Sequence, residues 1–244
     1  MKKNGKYRFC MADIGLNAQT ERESWPLPNI EEVIDGLGRF EYCTTLDGFS
    51  GFNTILIGKY DQHLTTFRTP WGTFYYTVMP FGLKNAPHTY CRYVHKVFAH
   101  LLTKSVKTYM DDIAVASHTF EQHINDVNQA LDAAEVGDMR VNPQKGHYFQ
   151  KGVEFLGHWI NKEGITVMPN KVERIQGLGR PSDVKGIRSF LGLTGYYRRF
   201  ILEYAHRSQP LTTLTRKNTK WQWGEAQESA FEELKSALSK APVL

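Results

Sequence analysis

The amino-acid sequence predicts an α+β protein in which a mixed body of strands and helices is followed by a helical C-terminal part. Short β-prone runs alternate with helix-like segments as far as residue 168, and helix-like segments predominate from Pro169 onward. No internal repeat or low-complexity linker interrupts the chain. Because 41% of the 244 residues are hydrophobic and 13% are aromatic, the chain is able to bury a core. We expect two domains, residues 1–168 and residues 169–244.

The first half of the chain contains a predicted strand, a hairpin and a helix. Apolar and polar side chains alternate over residues 40–47, which predicts a strand that ends at Asp47. Two β-prone runs, residues 64–68 and 73–78, flank a turn sequence with proline and glycine and predict a hairpin. After Pro87 the apolar side chains fall at helical spacing, and proline suits a first helical turn because its missing N–H costs nothing there.

Two adjacent acids, Asp111 and Asp112, lie between two short β-prone runs in residues 105–116. This arrangement predicts a hairpin with both acids at or near its tip. An ordinary polar β-turn is the other interpretation of an Asp-Asp pair, and the dipeptide alone does not distinguish the two.

A helix should follow this hairpin and end at Gly137, since glycine is a common helix stop. Thr119 and Gln122 form a capping-box pattern at its start, in which side chains pair with N–H groups of the first turn. The apolar side chains that we expect to face inward are Phe120, Ile124, Val127 and Leu131.

The remainder of the chain is predicted to contain short strands and then helices. Strands are expected at residues 139–141, 148–150, 153–160 and 165–167. From Pro169 onward the sequence is helical, apart from breaks near residues 177–181 and 209–223.

Composition argues against several classes of protein. The three cysteines, Cys10, Cys43 and Cys91, are odd in number and far apart, which argues against a disulfide framework and a structural zinc site. No run of about 18 apolar residues occurs, and the polar sequence after Met1 does not suit a secretory signal. We therefore expect an intracellular protein with reduced thiols and no membrane partner.

Basic charge is concentrated in one segment of the chain. The net charge is +5, but residues 171–220 contain 11 Lys and Arg and 3 acids, which leaves a net charge of −3 for the remainder. Aromatic residues interleave with these cations at Phe190, Tyr196, Tyr197 and Phe200. Such a segment suits a surface that lies along a phosphate backbone. A solvated basic helix face is the alternative, and charge alone does not separate the two.

Three acids form the candidate chemical site. Adjacent carboxylates repel, and the pKa of each is raised unless a cation lies beside them. Because Asp111 and Asp112 point to different sides of the chain, a metal pair needs a further acid, which Asp47 at a strand end could supply. Carboxylates suit Mg²⁺, and two such ions about 4 Å apart can activate a hydroxyl and stabilise a leaving oxygen in phosphoryl transfer. The sequence alone does not show that Asp47 is close.

The segment Tyr109-Met110-Asp111-Asp112 is similar to the signature of reverse transcriptases, and the surrounding chain resembles the gypsy type of LTR retrotransposon enzyme in particular. Other segments agree in order across essentially the whole chain: Arg8-Phe9-Cys10, Trp25-Pro26-Leu27-Pro28, Thr45-Leu46-Asp47, Ser50-Gly51-Phe52, Thr66-Phe67-Arg68-Thr69, and residues 78–87, 153–158, 188–193 and 196–200. A chance match of so many ordered segments is not credible.

The resemblance implies a right-hand polymerase fold, with an antiparallel palm sheet, flanking helices and a helical thumb. Residues 1–168 would be partial fingers and palm, and residues 169–244 the thumb and the start of a connection to a ribonuclease H domain. The implied activity is that of an RNA-directed DNA polymerase, which transfers a nucleotide from a dNTP to the 3′ hydroxyl of a primer. Asp47, Asp111 and Asp112 would be its catalytic acids and would hold two Mg²⁺ ions, with Mn²⁺ as an alternative.

The resemblance also implies residues that hold the incoming nucleotide. Lys3 and Arg8 match fingers cations that clamp the triphosphate, although a solvated N-terminal lysine is the other interpretation of Lys3. Ser50 and Gly51 match a place where backbone N–H groups hold the triphosphate. Phe52 matches an aromatic gate that excludes a ribose 2′ hydroxyl, and most relatives carry tyrosine there. A core phenylalanine is its alternative interpretation.

Further positions follow from the same resemblance. The backbone carbonyl of Gly48 would add a ligand beside the nucleotide, and Phe81 and Gly82 would lie beside its sugar. Met110 would lie beside the primer end. The primer grip would be Phe155, Leu156 and Gly157, where close packing of backbone against the primer explains a glycine.

The chain departs from the family pattern at residues 12–17, which read Ala-Asp-Ile-Gly-Leu-Asn where relatives usually read Asp-Tyr-Arg-Lys-Leu-Asn. The lost acid and two cations help in the family to support the template side of the fingers. The sequence also looks like a part of a longer polyprotein or a degraded genomic copy. The implied partners are an RNA or DNA template with its primer, a dNTP, and the ribonuclease H and integrase regions of the parent polyprotein.

Three functional hypotheses follow. The first is a polymerase unit that is competent within a longer polyprotein, and the second is a non-catalytic remnant that still binds template and primer. The third is an interaction module with no role in nucleic acid binding. The presence of all three acids favours the first hypothesis, and the basic C-terminal segment argues against the third.

Overall fold

The computed structural model describes residue 10, residues 13–48 and residues 51–244. Contacts divide the chain into two compact units, Met1–Leu156 and Gly157–Leu244. Among the helices of these described ranges, none is both long and apolar enough to cross a lipid bilayer. The contact boundary lies twelve residues before the functional boundary that we expect at residue 168, and the latter stays a prediction.

The first unit contains helices, strands and two short 3₁₀ segments. The helices are α1 (Ile14–Gln19), α2 (Ile30–Asp35), α3 (Ala86–Phe98) and α4 (Phe120–Val136). The strands are β1 (Tyr42–Asp47), β2 (Phe67–Thr69), β3 (Gly72–Phe74), β4 (Val106–Tyr109), β5 (Asp112–Ser117), β6 (His147–Gln150) and β7 (Gly152–Phe155). The 3₁₀ segments are Gly51–Thr54 and Gln62–Thr65.

A four-stranded antiparallel sheet forms the centre of this unit, in the order β4, β5, β1, β6. The strand β1 pairs with β5 along its whole length, from Tyr42 opposite Ser117 to Asp47 opposite Asp112. Helix α4 packs on β5 and β1, and α3 packs on β4 and α4. The core between them includes Leu46, Tyr90, Phe98, Ile113, Val115 and Ala130.

The predicted inward face of α4 is wrong. Phe120, Ile124 and Leu131 are 47%, 40% and 37% exposed, and of the four predicted side chains only Val127 is buried. The buried side chains other than Val127 are small or polar: His123, Asp126, Ala130, Ala133 and Ala134. Hydrophobic periodicity cannot find such a face, because two of its members are ionisable residues whose burial depends on partners from distant strands.

Those partners form a buried hydrogen-bond network between α4 and the sheet. The Ser117 hydroxyl donates to Asp126 Oδ2 at 2.7 Å and therefore accepts from His123 Nδ1, at 2.9 Å. His123 Nε2 then accepts from the Thr44 hydroxyl at 2.8 Å, and the Thr44 oxygen accepts from the Phe149 N–H at 3.2 Å. The network thus fixes one neutral tautomer of His123, whose pKa burial lowers while Asp126 opposes the shift. It joins α4 to β1, β5 and β6.

Two predicted strands are shorter or broken. The hairpin of β2 and β3 spans only residues 67–74, because the residues before it form the 3₁₀ segment Gln62–Thr65. The strand predicted over residues 153–160 is interrupted at Leu156 and Gly157, which have φ values of 46° and 69°. Two consecutive left-handed residues cannot continue an extended strand.

The predicted strand over residues 139–141 is reduced to one isolated bridge, between Gly48 and Val141. By contrast, the predicted strand end at Asp47, the helix after Pro87 and the Thr119 cap are confirmed. The Thr119 hydroxyl oxygen accepts the N–H of Gln122 at 3.2 Å.

The second unit begins with a hairpin and continues as helices. The hairpin is β8 (His158–Asn161) and β9 (Gly164–Val167), and the helices are α5 (Pro169–Gln176), α6 (Val184–Tyr196), α7 (Tyr204–Leu214) and α8 (Glu225–Ser239). Helix α8 packs against α7 and α5. The ring centroids of Phe190 and Phe231 are 4.5 Å apart in the core of this unit.

Two expectations for the second unit need correction. Helix α7 continues through Pro210 to Leu214, so the break predicted from residue 209 begins only after Leu214. Phe190, Tyr197 and Phe200 are buried in this unit, and of the four interleaved aromatics only Tyr196 is exposed, at 42%. The aromatic positions of the basic segment therefore serve mainly as core. Phe190 is buried within α6, and Tyr197 and Phe200 are buried just after its end.

We predict that Ser117→Ala destabilises the protein by about 2 kcal/mol, because it removes one partner each from buried Asp126 and His123. The free energy of unfolding from urea titration measures this loss. Ser229→Ala is the matched control, since its exposed hydroxyl contacts only Glu233; we expect a change within about 0.5 kcal/mol. Equal effects of the two substitutions would contradict the network's structural role.

Candidate active site

The three predicted acids come from two neighbouring strand ends. Asp47 is the last residue of β1 and lies opposite Asp112, the first residue of β5. Directly opposed side chains in an antiparallel pair lie on the same face, with Cβ atoms about 5 Å apart. Asp111 precedes Asp112 in the turn, and its carbonyl oxygen accepts the Gly48 N–H at 2.9 Å. The expected hairpin and the expected proximity of Asp47 are both present.

Lys145 forms an ion pair with this group of acids. Its Nζ lies 2.8 Å from Asp47 Oδ2, and the lysine side chain is largely exposed. The residue follows a turn whose Asn142 N–H donates to the Asp47 carbonyl at 2.8 Å. No motif in the sequence pointed to Lys145, because the contact spans 98 positions and depends on the pairing of β6 with β1.

The charge distribution favours binding of a cation. The pKa of Asp112 is raised from 3.8 to about 6, first by burial and then by the negative charges of Asp111 and Asp47, while Lys145 opposes the shift. Burial and the neighbouring carboxylates both disfavour the charged form of Asp112, and Lys145 does not fully neutralise them. Three carboxylates offer the hard oxygen ligands that Mg²⁺ prefers, so the donor set fits a divalent ion.

The acids are nevertheless not arranged as a closed metal cage. Within the described ranges, no group of three or more His, Cys, Asp or Glu side chains is positioned to hold a metal ion together. The Lys145 ammonium already pairs with Asp47, and repulsion separates like charges. Coordination would therefore require Lys145 to leave Asp47 and the carboxylates to turn toward a common centre.

The turn between β4 and β5 has an unusual backbone. Met110 has a φ of 54°, which is uncommon for a residue with a Cβ and typical of tight two-residue hairpins. Its sulfur lies 3.3 Å from the thiol sulfur of buried Cys91 on α3. The contact joins Met110 to the helix, and Asp111 and Asp112 follow it at the tip of the hairpin.

The predicted nucleotide positions are only partly within the described residues. Lys3, Arg8 and Ser50 lie outside them, and their roles stay predictions. Gly48 and Gly51 both approach the ring of Tyr90, which leaves no room for a Cβ at either position. Phe52 is half-buried and packs between the rings of Phe81 and Tyr90, at centroid distances of 4.9 and 5.3 Å.

Asn17 connects helix α1 to the segment after Phe81. Its side-chain amide donates to the Gly82 carbonyl at 2.8 Å and accepts the Lys84 N–H at 2.7 Å. Gly82 has a φ of 109°, a backbone conformation that residues other than glycine rarely adopt. Asn17 is the last residue of the departing segment 12–17, and its contacts were not predicted.

The predicted primer-grip residues lie near the acids only in part. Phe155 and Leu156 line a cavity of about 200 Å³ in the first unit, together with Asp47, Asp112 and Lys145. Gly157 belongs to the second unit, where its carbonyl accepts the Tyr197 hydroxyl at 2.8 Å.

Comparison with known proteins identifies the family. The sequence pattern of the family described as "Reverse transcriptase (RNA-dependent DNA polymerase)" matches residues 1–177. The chain is 35% identical over 240 residues to the retrovirus-related Pol polyprotein from transposon 297 of Drosophila melanogaster, covering 98% of this chain and 23% of that protein. It is 30% identical over 243 residues to the transposon Tf2-3 polyprotein of Schizosaccharomyces pombe, covering 100% and 18%. The chain thus spans about a quarter or less of these relatives.

Solved structures agree on the fold. The foamy viral protease-reverse transcriptase dRH in complex with double-stranded DNA matches with a TM-score of 0.93 at 24% identity, covering 100% of this chain and 43% of that chain. The same viral protein with an RNA/DNA hybrid matches with a TM-score of 0.83 at 24% identity, covering 93% and 31%. The right-hand polymerase fold that the sequence implied is confirmed.

The chain therefore belongs to the reverse transcriptase family, whose members are nucleotidyltransferases. Its curated relatives are retrotransposon polyproteins, so the resemblance to retrotransposon enzymes is confirmed as well.

We predict that Asp112→Asn stabilises the metal-free protein at pH 7 and that this advantage disappears as the pH falls from about 6 toward 4. The folded-state pKa of Asp112 is raised above its unfolded value, so the folded wild-type protein binds the Asp112 proton more tightly than the unfolded protein does. The wild-type free energy of unfolding is therefore higher at low pH and decreases as the pH rises through the folded-state pKa. Asparagine is neutral throughout.

Thermal unfolding in EDTA across this pH range measures the difference. Asp132→Asn removes an exposed carboxylate of α4 and is the control. Its Tm difference from wild type should not change between about pH 6 and pH 4. Parallel pH profiles of wild type and Asp112→Asn would show that carboxylate repulsion at Asp112 is unimportant.

Proposed function

We propose that this chain catalyses RNA-directed DNA synthesis, with Asp47, Asp111 and Asp112 as its catalytic acids. The primer 3′ oxygen bonds to the α-phosphorus of a dNTP, and the bond from that phosphorus to pyrophosphate breaks. The observation that carries the proposal is the opposition of Asp47 and Asp112 across β1 and β5, with Asp111 in the adjoining turn. Membership of the reverse transcriptase family supports it.

Mg²⁺ is the proposed cofactor, as two ions, with Mn²⁺ as an alternative. When bound, such ions lower the pKa of an attacking hydroxyl and neutralise charge on the phosphate oxygens. Asp47 and Asp111 would supply carboxylate ligands, the Gly48 carbonyl would add a neutral one, and Asp112 would complete the negative field. The negative charges of Asp111 and Asp47 support this assignment, because they add to burial in raising the pKa of Asp112 and a bound cation would relieve their repulsion.

The loop that follows β1 would hold the nucleotide. Backbone N–H groups at Ser50 and Gly51 would face the triphosphate, and Lys3 and Arg8 would add positive charge. Phe52 would lie against the sugar, with Phe81 and Gly82 beside it. The packing of the Phe52 ring against Phe81 and Tyr90 supports a fixed wall at this position.

A template with its primer is the proposed macromolecular ligand. Phe155, Leu156 and Gly157 would contact the primer, and Met110 would lie beside its end. Many cations of residues 171–220 are exposed, including Arg174, Lys185, Arg188 and Lys217, which suits contacts with phosphates. In a longer polyprotein the unit would act with ribonuclease H and integrase regions.

We predict that Asp111→Asn lowers primer extension at least 1,000-fold while template–primer affinity stays within about 3-fold, since a metal ligand is lost and no phosphate contact is. Extension of oligo(dT) on poly(rA) with Mg²⁺ measures activity, and fluorescence anisotropy measures affinity. Asp132→Asn on α4 is the control and should retain full activity.

A wild-type chain that binds template and primer with salt-sensitive affinity but never extends the primer would favour the remnant hypothesis. Equal extension by wild type and Asp111→Asn would contradict the metal role of the acids.

We predict that Phe52→Val raises the use of UTP relative to dTTP about 10-fold or more, because a smaller side chain no longer collides with the ribose 2′ hydroxyl. Single-nucleotide extension on poly(rA) gives the ratio of kcat/KM values. Phe120→Val, at a partly exposed aromatic on the outer side of α4, should leave the ratio unchanged. An unaltered ratio in Phe52→Val would identify Phe52 as a core residue only.

A further inference from the structure

The side chain of Tyr90 carries a buried hydroxyl that meets no hydrogen-bond partner among the described residues. Tyr90 lies on the first half of α3 and is 1% exposed. Buried phenols usually find a partner, because an unpaired hydroxyl loses its hydration without compensation. Phenylalanine would fill the same core position without this cost, so the hydroxyl calls for an explanation in terms of what surrounds it.

The hydroxyl lies against the backbone at two points of the candidate nucleotide loop. A Cβ added at Gly48 would lie 2.8 Å from the Tyr90 oxygen, and a Cβ at Gly51 would lie 2.7 Å from it. Both distances are shorter than real Cβ contacts allow. The hydroxyl therefore fills the space next to the backbone of Gly48 and of Gly51, which follow Asp47 in the chain.

The ring of Tyr90 also contacts the side chain at the end of this loop. Its edge-to-face contact with Phe52 has a centroid distance of 5.3 Å and an interplanar angle of 87°. Phe52 has no polar atom in its side chain, so its position depends on its contacts with the Tyr90 and Phe81 rings and on the position of its own backbone. Burial, and then the charges of Asp111 and Asp47, raise the pKa of Tyr90, so the phenol stays protonated and uncharged.

We propose that Tyr90 is a positioning residue that sets the sugar selectivity of the nucleotide site. Its hydroxyl supports the backbone at Gly48 and at Gly51, and its ring holds Phe52 where a ribose 2′ oxygen would collide. Removal of the Tyr90 oxygen atom leaves an unfilled space next to Gly48 and Gly51. The backbone of these two residues and the Phe52 ring would then shift toward that space. The inference rests on the proposed function, because it concerns the nucleotide that the loop would hold.

The first experiment compares two tyrosines of α3. Tyr90→Phe removes a hydroxyl without a partner, whereas Tyr93→Phe removes one that donates to the Gly137 carbonyl at 2.8 Å. We expect Tyr90→Phe to lower the ratio of kcat/KM for dTTP over UTP about 3- to 10-fold, with an unchanged or higher Tm. Tyr93→Phe should leave the ratio unchanged and lower Tm by about 2 °C.

The second experiment tests the contact itself and needs no catalysis. Among the described residues that are not its chain neighbours, the Tyr90 hydroxyl is the one group closer than 3.5 Å to a Cβ added at Gly48, so Tyr90→Phe should restore most of the Tm that Gly48→Ala loses. At Gly51 a ring carbon of Tyr90 also lies 2.7 Å from the added Cβ. Gly51→Ala should therefore not be restored by Tyr90→Phe, and it is the matched control.

An unchanged dTTP-to-UTP ratio in Tyr90→Phe would overturn the inference, as would failure of Tyr90→Phe to restore Gly48→Ala. A parent chain that never extends a primer would defeat the proposed function separately. In that case selectivity is measured without turnover, from the rise in Tm that dTTP and UTP produce with template, primer and Ca²⁺. Equal selectivity of parent and Tyr90→Phe in that measurement would again overturn the inference.

Discussion

Asp47 and Asp112 are neighbours because β1 and β5 pair in one antiparallel register. A slip of one residue along this pair would move every side chain of one strand to the opposite face and would separate the two carboxylates. The end of the pair at which the acids meet cannot hold the register by attraction, since like charges face each other there. The register must be fixed elsewhere along the two strands.

The buried hydrogen-bond network around His123 fixes the register of β1 and β5. Thr44 belongs to β1 and Ser117 to β5, and both bond to the same imidazole of His123 on α4. A shift of either strand would break its hydrogen bond to His123. No other arrangement of donors and acceptors would replace that bond, because each ring nitrogen already has one partner. The fold thus holds repelling carboxylates together with a buried, hydrogen-bonded polar cluster. Lys145 reduces the repulsion from outside the sheet.

The sequence predicts those features that depend on local chemistry. The strand that ends at Asp47, the Asp111–Asp112 hairpin and the Thr119 cap each follow from neighbouring residues and are present. Features that depend on distant partners were missed. The buried face of α4 contains His123 and Asp126, and Lys145 reaches Asp47 across 98 positions. The strand break at Leu156 was missed as well, because leucine rarely adopts a positive φ.

The amide of Asn17 has a consequence for how the N-terminal part of this chain tolerates change. One oxygen and one nitrogen of the same side chain engage a carbonyl at Gly82 and an N–H at Lys84, so neither an acid nor an aliphatic residue could replace both bonds. A second bond joins the same two segments, from the Lys84 ammonium to the carbonyl of Thr20 at the end of α1, at 2.7 Å. Asp13 caps the helix by accepting the Leu16 N–H at 2.8 Å, whereas Ile14, where the chain departs from the family, is 82% exposed and can vary without loss of these bonds.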